Sequence, residues 1–361
     1  MTAEIAGVSK KKAVLEIRDL VVRFPIKRGI LQRTVGHVGA VEGVSLTVPE
    51  GEVVGLVGES GSGKSTIAKA IVRLVRPTSG EILVDGQNTT HLSGRQMSPI
   101  YRRVQMVFQD PYSSLDPQMS VADIIAEPLN IHRIGSPASR RKKVGELLEI
   151  VGLDPEMMRR RPNQFSGGQR QRIAIARALA LRPDLLICDE PISALDVSVR
   201  AQVINLMIRL KAELGLTILF IAHDLAVVRQ IADSVAVMYL GQIMETGPRD
   251  PMYVEPLHPY TAALLSAAPI PDPRTERSRP RIVLRGEIPS PADPPSGCRF
   301  RTRCPFAAER CREEVPALRE VATGRRVACH FAEELGPKLA QWAGSGTAPA
   351  GDTKVQALGG A

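Results

Sequence analysis

The chain has 361 residues, of which 43% are hydrophobic and 4% aromatic, and its formal net charge is +9. The hydrophobic fraction is that of a globular protein and excludes a chain that is disordered throughout. No apolar run reaches the ~18 residues that a membrane-spanning helix needs, and no secretion signal is visible, so we expect a cytoplasmic protein. The positive charge suits simple solubility as well as attraction to an anionic surface, a nucleotide or a nucleic acid.

The predicted elements alternate between strands and helices. Short β-branched runs within residues 14–51 predict strands joined by turns, and the apolar run at residues 53–57 predicts a buried strand. Further buried strands are predicted at residues 185–188 and 217–222, with a helix over residues 199–214 between them. This alternation indicates an α/β core with a mostly parallel sheet.

The composition changes after Ala268, where a stretch rich in proline and arginine is typical of a linker. Four cysteines follow it, and the last residues are of low complexity, which indicates disorder. The pattern predicts these units: a flexible tail at 1–13, a principal domain over 14–268 with a helical subdomain at about 112–180, a linker and cysteine-rich segment over 269–335, and a disordered tail over 336–361.

A glycine-rich loop follows the strand predicted at residues 53–57. Residues 58–65 read GESGSGKS and fit the phosphate-loop pattern G-x-x-x-x-G-K-[ST] between a strand and a helix. Glycines let the backbone amides wrap a phosphate, and the helix N-terminus adds positive potential. We expect Lys64 to bridge the β- and γ-phosphates and Ser65 to ligate Mg²⁺. The other expected nucleotide contacts here are Gly58, Ser60, Gly61, Gly63 and Thr66.

Two acids, Asp189 and Glu190, follow the strand predicted at residues 185–188. Open α/β sheets place their ligands at the carboxyl ends of strands. We expect Asp189 to hold Mg²⁺ through water. Glu190 is expected to polarise the attacking water as a general base.

A serine and two glycines precede a predicted helix in residues 164–172, which read QFSGGQRQR. This arrangement makes an anion site at a helix N-terminus. With this segment the chain resembles the ATP-binding-cassette (ABC) ATPases, although Phe165 replaces the leucine that is usual in their signature. The resemblance covers roughly residues 14–335. It implies an α/β fold: an ABC-type phosphate-loop nucleotide-binding domain with a RecA-like core, an antiparallel β subdomain and a helical subdomain, plus a small cysteine-rich C-terminal extension.

The resemblance also implies roles for single residues. Gln109 resembles the glutamine that senses Mg²⁺ and helps to ligate it, and His223 resembles the histidine that contacts the γ-phosphate. Phe24 resembles the aromatic residue that stacks on adenine, with a place in the core as the alternative. Two subunits are implied to sandwich two ATP molecules head to tail. Ser166 and Gly168 are implied to face the phosphate loop of the other subunit, and Gln169 and Asp196 are further implied nucleotide-binding residues.

Several segments resemble one branch of these ATPases more narrowly. Residues 57–65, 107–111, 191–198 and 258–265 look like those of ATPase subunits from oligopeptide and dipeptide importers, a branch that includes nickel importers. The resemblance implies an ATP-hydrolysing motor on the cytoplasmic face of the inner or plasma membrane, with nickel or another solute as the alternative cargo. The implied partners are a sister ATPase, two transmembrane permeases and an extracytoplasmic solute-binding protein, with no nucleic acid.

Four of the five cysteines lie close together in the sequence: Cys298, Cys304, Cys311 and Cys329. Four thiolates can bind zinc or an iron–sulfur cluster. The tight cysteine pairs usual in zinc sites are absent, and the importer branch has the same kind of pattern, which in some members carries a [4Fe–4S] cluster. We predict such a cluster in a structural role, with zinc or unliganded thiols as alternatives.

Two other functions remain as alternatives. A soluble ABC ATPase acting on DNA or ribosomes is disfavoured, because the segment between Ser65 and Ser166 has no sustained heptads and the chain has one cassette. A nucleic-acid binder built on the cysteines would use Arg299, Arg301 and Arg303 as phosphate contacts.

Overall fold

The computed structural model describes residues 11–29, 33–110, 114–267, 284 and 286–342. The predictions made for residues 1–10, most of the linker and residues 343–361 therefore lie outside the described residues, as do residues 111–113 of the predicted helical subdomain. No helix in the described ranges is long and apolar enough to cross a bilayer.

The strands are β1 (Ala13–Arg28), β2 (Arg33–Pro49), β3 (Val53–Val57), β4 (Ser79–Val84), β5 (Gln87–Asn88), β6 (Val104–Val107), β7 (Leu185–Asp189), β8 (Thr217–Ala222), β9 (Ser234–Tyr239), β10 (Gln242–Pro248), β11 (Arg319–Ala322) and β12 (Arg325–Val327). The α-helices are α1 (Lys64–Ile71), α2 (Gly94–Arg103), α3 (Val121–Ile131), α4 (Pro137–Ile150), α5 (Gly167–Leu179), α6 (Val197–Leu214), α7 (Leu225–Ile231), α8 (Arg249–Val254), α9 (Pro259–Ala267), α10 (Arg310–Glu313) and α11 (Ala332–Trp342).

The larger sheet has the strand order β11-β12-β10-β9-β3-β8-β7-β6. Strands β9, β3, β8, β7 and β6 pair in parallel, whereas β10, β12 and β11 extend the sheet antiparallel. Strands β3, β7 and β8 are buried at every position, because helices cover one face and α1, α2 and a second sheet cover the other, and this explains their unbroken apolar runs. The predicted α/β core with a mostly parallel centre is confirmed.

A second, antiparallel sheet has the order β2-β1-β4-β5. Strands β1 and β2 form one long ribbon rather than the short strands that the β-branched runs predict. Bulges interrupt the pairing, one of them between Ile17 and Leu20, and Asp19 within it has a left-handed φ of 45°. Such bulges break the alternation of apolar and polar residues, so the sequence shows only fragments of each strand.

Helices α3, α4 and α5 pack on one another and join the core beneath the larger sheet. A serine begins each helix: Ser120, Ser136 and Ser166 each accept a hydrogen bond from the backbone N–H three residues on. Such caps satisfy donors that the first helical turn leaves open. The described part of the predicted helical subdomain is accordingly helical, with two short 3₁₀ turns between α4 and α5.

The C-terminal part of the chain joins the core through a buried ion pair. Strand β12 pairs with β10, and Arg325 on β12 donates to Glu245 on β10 at 2.8 Å. The same carboxylate accepts the backbone N–H groups of Leu257 and His258, each at 3.0 Å. Glu245 therefore joins the hairpin to the segment that enters α9.

Helix α11 occupies residues that the sequence assigned to a disordered tail, and this assignment is wrong for residues 336–342. Leu335 and Leu339 are buried with Ala262 of α9 in a small apolar cluster. Burial of this face stabilises the helix. The helix was not predicted because the residues that follow it are of low complexity.

Candidate nucleotide-binding site

The phosphate loop lies between β3 and α1 and is packed tightly against its neighbours. Gly61 and Gly63 have left-handed φ values of 78° and 104°. A Cβ on Gly63 would lie 2.1 Å from the carbonyl oxygen of Ala40, and one on Gly58 would lie 2.1 Å from that of Met238. Gly63 therefore requires glycine for both conformation and space, Gly61 for conformation and Gly58 for space.

The side chain of Lys64 turns back onto its own loop. Its Nζ donates to the carbonyl oxygens of Gly58 at 2.8 Å and Glu59 at 2.9 Å, and to Ser62 Oγ at 3.3 Å. Burial lowers the pKa of Lys64, and the nearby carboxylates of Glu190 and Asp189 oppose that shift. The ammonium thus sits at the centre of the loop, where phosphate oxygens can replace the carbonyl groups as its acceptors.

Ser65 and Asp189 meet at the carboxyl end of strand β7. Ser65 Oγ donates to Asp189 Oδ1 at 2.8 Å. Burial raises the pKa of Asp189, and the hydrogen bond from Ser65 opposes the shift. A hydroxyl and a carboxylate form the kind of oxygen donor set that Mg²⁺ prefers, and a cation there would offset the burial of the carboxylate.

Glu190 brings the three predicted catalytic residues together. Gln109 Nε2 donates to Glu190 Oε2 at 3.1 Å, and His223 Nδ1 lies 3.5 Å from the same oxygen. Glu190 has a left-handed φ of 45°, and its N–H donates to Ile221 at 3.0 Å. A left-handed non-glycine residue costs conformational energy, and here it directs a carboxylate towards the loop.

A cavity of about 480 Å³ opens in front of these groups, within the range of small-molecule sites. The predicted residues that line it are Ser60, Gly61, Gly63, Lys64, Ser65, Thr66, Gln109, Glu190 and His223. Val38, Ala40 and Pro291 also line it and were not predicted. Val38 and Ala40 lie on β2, and no sequence motif indicates that this strand passes over the phosphate loop. Pro291 lies within the predicted linker. A larger cavity of about 600 Å³ at the opposite edge of the sheet contains none of the predicted site residues.

Phe24 lies at the rim of the site. It is directly opposite Val38 in the β1–β2 ribbon, so the two side chains share a face. Phe24 is 40% exposed, which places it outside the core. An exposed ring beside a residue that lines the cavity is available for stacking.

The residues around the start of α5 stand apart from this cavity. Ser166 Oγ accepts from the Gln169 N–H at 3.3 Å, and the Gln169 side chain accepts from the Ser166 N–H at 3.0 Å. A Cβ on Gly168 would lie 2.3 Å from Val199. Among the described residues, neither this helix start nor the exposed Asp196 lines the cavity. The fold therefore does not bring this second group of predicted contacts to the phosphate loop of the same chain.

The four clustered cysteines line one small cavity of about 10 Å³, together with aromatic residues. Burial raises the pKa of Cys304 to about 12 and of Cys329 to about 11, so both are neutral thiols here. Among the residues that the structure describes, no group of three or more His, Cys, Asp or Glu is arranged to hold a metal ion. The thiols have the chemistry that a cluster needs, but the cavity as it stands has room for about one water.

A strand, a glycine-rich loop followed by a lysine, and two acids at the carboxyl end of a second parallel strand define a phosphate-loop nucleotide-binding domain. Residues 41–193 match the ABC transporter family, and residues 244–311 match the C-terminal region of oligopeptide/dipeptide transporters.

Comparison with individual proteins leads to the same family. The chain is 53% identical over 324 residues to the oligopeptide transport ATP-binding protein AppF of Bacillus subtilis, covering 90% of this chain and 98% of that one. It is 52% identical over 318 residues to the probable peptide ABC transporter ATP-binding protein y4tS of Sinorhizobium fredii, covering 88% and 90%. A solved dimeric ABC cassette, MJ0796 bound to ADP and Pi, superposes with a TM-score of 0.58 at 31% identity, covering 65% of this chain and 98% of that one. The chain therefore belongs to the ABC transporter family, among the ATP-binding proteins of oligopeptide and dipeptide transporters.

Proposed function

We propose that this chain is the ATP-hydrolysing motor subunit of an importer for oligopeptides or dipeptides. The observation that carries the proposal is that Lys64, Ser65 and Glu190 line one cavity, while Asp189 accepts the hydrogen bond of Ser65. The cargo class follows from relatives that are named as oligopeptide and peptide transport proteins.

ATP binding uses the groups already in the loop. The phosphates displace the carbonyl groups from Lys64 and accept hydrogen bonds from the loop amides at the start of α1. Ser65 and Asp189 would hold Mg²⁺, with Gln109 nearby, and a cation held there would offset the negative charge of the phosphates. Phe24 stacks on the adenine.

Hydrolysis uses Glu190 as the general base. Its carboxylate orients a water and accepts a proton as that water attacks the γ-phosphorus. Gln109 donates to the carboxylate and fixes its direction, and His223 contacts the γ-phosphate. The work of the protein is positioning and charge stabilisation, as is usual in phosphoryl transfer.

Ser166, Gly168, Gln169 and Asp196 serve a second active site. They lie outside the cavity of their own chain, and Ser166 and Asp196 are exposed at helix starts. We assign them to the ATP bound by a sister ATPase in a head-to-tail sandwich. The related cassette MJ0796 is dimeric in its post-hydrolysis state, which supports the association of two such subunits.

The remaining partners follow from the transporter class. Closure of the sandwich pushes on two transmembrane permeases, and an extracytoplasmic binding protein delivers the solute. The chain then lies peripherally on the cytoplasmic face of the membrane, with residues 14–268 as the motor domain and residues 112–180 as its helical subdomain. Nickel or another solute is the alternative cargo. Nucleic acid is not an expected partner, since Arg299 and Arg303 contact protein groups.

We also propose that Cys298, Cys304, Cys311 and Cys329 hold a [4Fe–4S] cluster, with zinc as the alternative. All four thiols face one cavity, which would have to widen to accept a cluster. Anaerobic purification with iron, zinc and acid-labile sulfide assays tests this assignment. About four irons and four sulfides per chain support the cluster, and stoichiometric zinc without sulfide supports zinc. Protein that lacks both metals yet hydrolyses ATP overturns the assignment.

Deletion of the gene tests the transport function directly. Uptake of labelled di- and oligopeptides should fall, and a plasmid copy should restore it unless it carries Lys64→Ala. Loss of nickel uptake with normal peptide uptake would point to the alternative cargo. Unaltered uptake of both solutes, together with salt-sensitive nucleic-acid binding by the purified protein, would contradict the transport assignment.

A further inference from the structure

Two residues from the C-terminal part of the chain hold Glu59, the second residue of the phosphate loop. Arg303 Nη1 donates to Glu59 Oε2 at 2.7 Å, and the Arg303 side chain is only 9% exposed. The N–H of Glu59 donates to the hydroxyl of the buried Tyr260 at 3.0 Å. The carbonyl oxygen of Glu59 accepts from Lys64 at 2.9 Å. The side chain, the backbone N–H and the carbonyl oxygen of Glu59 therefore each have a hydrogen-bond partner.

Both supporting side chains are themselves held by an aromatic cluster. Tyr260 packs against Tyr239 and Phe300 with ring centroids 4.8 and 5.3 Å away. The guanidinium carbon of Arg303 lies 5.9 Å from the Tyr239 ring centroid. The backbone N–H of Arg303 donates to the carbonyl oxygen of Phe300 at 3.0 Å. A planar cation over a ring face gains cation–π stabilisation and loses conformational freedom. Arg303 is thus fixed before any nucleotide arrives.

A second arginine from the same turn bonds the β9–β10 turn, which itself bonds the phosphate loop. Arg299 donates to the carbonyl of Leu240 in the β9–β10 turn. The next residue, Gly241, donates its N–H to Ser62 in the phosphate loop at 2.9 Å. The turn that contains Cys298 and Cys304 therefore contacts the loop directly at Glu59, through Arg303, and is linked to Ser62 through the β9–β10 turn.

We propose that Arg303 is a positioning residue for ATP binding, acting through Glu59. The inference rests on the proposed function, because it assumes that the loop takes the phosphates of ATP. Glu59 is a carboxylate within a loop that must accept an anion, and Arg303 neutralises it while holding the backbone in place. Arg303 is not among the residues that line the nucleotide cavity, so it acts through Glu59 rather than by touching the ligand.

Removal of Arg303 should leave an uncompensated carboxylate beside the phosphates. Partly buried charges interact through a low effective dielectric, so the repulsion should be felt across the loop. We expect Arg303→Met to weaken binding of a fluorescent ATP analogue with Mg²⁺ by about tenfold, a size typical of one unscreened charge. KM for ATP should rise more than kcat falls. Arg303→Lys, which keeps the charge, should retain most of the affinity.

A double-mutant cycle separates this role from a purely structural one. Glu59→Gln alone should change the affinity for the ATP analogue by less than about threefold. Glu59→Gln in the Arg303→Met background should recover most of the lost affinity, because the repelling charge is gone. Arg301→Met is the matched control in the same turn, since Arg301 bonds Ser296 rather than the loop. Thermal unfolding of each variant identifies any loss of fold.

The outcomes distinguish this inference from the proposed function. Equal affinities for Arg303→Met and Arg301→Met overturn the inference, as does a failure of Glu59→Gln to restore binding in the double variant. If Arg303→Met unfolds, weak binding by a folded Arg303→Lys variant would overturn it. Wild-type protein that binds no ATP overturns the proposed function itself.

Discussion

The hydroxyl of Ser65 donates to the carboxylate of Asp189 at 2.8 Å, although 124 residues separate them in the sequence. Strand β3 places the first residue and strand β7 the second, with β8 between these strands in the sheet. The two oxygens meet because all three strands run parallel and end at the same edge. This contact is the geometric basis of the proposed magnesium site.

Substitution of the general base should separate ATP binding from hydrolysis. Glu190→Gln keeps a side chain of the same shape beside Gln109 but cannot accept a proton. We expect kcat to fall by about 10²–10⁴-fold, the usual contribution of a positioned base, with ATP affinity unchanged. Steady-state hydrolysis and equilibrium nucleotide binding measure the two effects. Glu146→Gln, at an exposed position on α4, is the control. A Glu190→Gln variant with wild-type turnover would assign the base to another group.

The serine at the start of α5 should matter for hydrolysis beyond its role as a cap. Ser166→Ala and Ser136→Ala each remove a helix cap, which costs about 1 kcal/mol of stability. Because we assign Ser166 to the ATP of the partner subunit, only Ser166→Ala should lower the ATPase rate, by about tenfold or more.

ATP binding by the isolated subunit should be equal in these two serine variants. The measurement is ATPase rate against protein concentration, since the sandwich forms only on association. Equal rates for the two variants across that range would contradict the assignment of Ser166 to the interface.

The buried pair Glu245–Arg325 should dominate the attachment of the C-terminal hairpin. The two side chains are 0% and 6% exposed, so Arg325→Met leaves a buried carboxylate without its cation. Breaking one side of such a pair costs about 3–5 kcal/mol. Urea unfolding should show that loss, and the matched change Arg326→Met, at an exposed position on the same strand, should cost less than about 0.5 kcal/mol. A similar stability for both variants would contradict the proposed importance of the pair.

The cysteine cavity predicts a pH dependence for metal-free protein. Burial raises the pKa of Cys304 to about 12 and of Cys329 to about 11, above the ~8.5 of an unfolded thiol. The folded state therefore keeps these protons at a pH where the unfolded chain loses them. The free energy of unfolding should be independent of these two thiols below pH ~8.5, and should fall as pH rises from there towards 11–12.

The same shift should slow the reaction of these thiols. At pH 7.5 the thiolate fraction of Cys329 is about 300-fold below that of an unfolded cysteine, so alkylation of the native, chelator-treated protein should be slower by that order. Urea-unfolded protein is the reference. Equally fast alkylation of native and unfolded protein would show that the cavity is open.

The phosphate loop, the acids after β7 and the core strands were predictable because each depends on a local run of residues. Residues 53–57 and 217–222 are strands at the predicted positions, since full burial leaves an unbroken apolar signal. Pro291 could not be predicted as a wall of the nucleotide cavity, nor could the bond from Arg303 to Glu59. Both depend on the packing of the C-terminal part of the chain against the phosphate loop, and no local sequence pattern indicates a contact between segments so far apart in the sequence.

Equilibrium binding of ATP with Mg²⁺, followed by steady-state hydrolysis, tests the central claim most directly. Wild-type protein should bind ATP and release phosphate. Lys64→Ala should lose binding because it removes the ammonium at the centre of the loop. Lys142→Ala, at an exposed position on α4, should behave as wild type. Equal ATP affinity and turnover in wild type and Lys64→Ala, or no ATP binding by folded wild-type protein, would contradict the assignment of this chain as an ATP-driven motor.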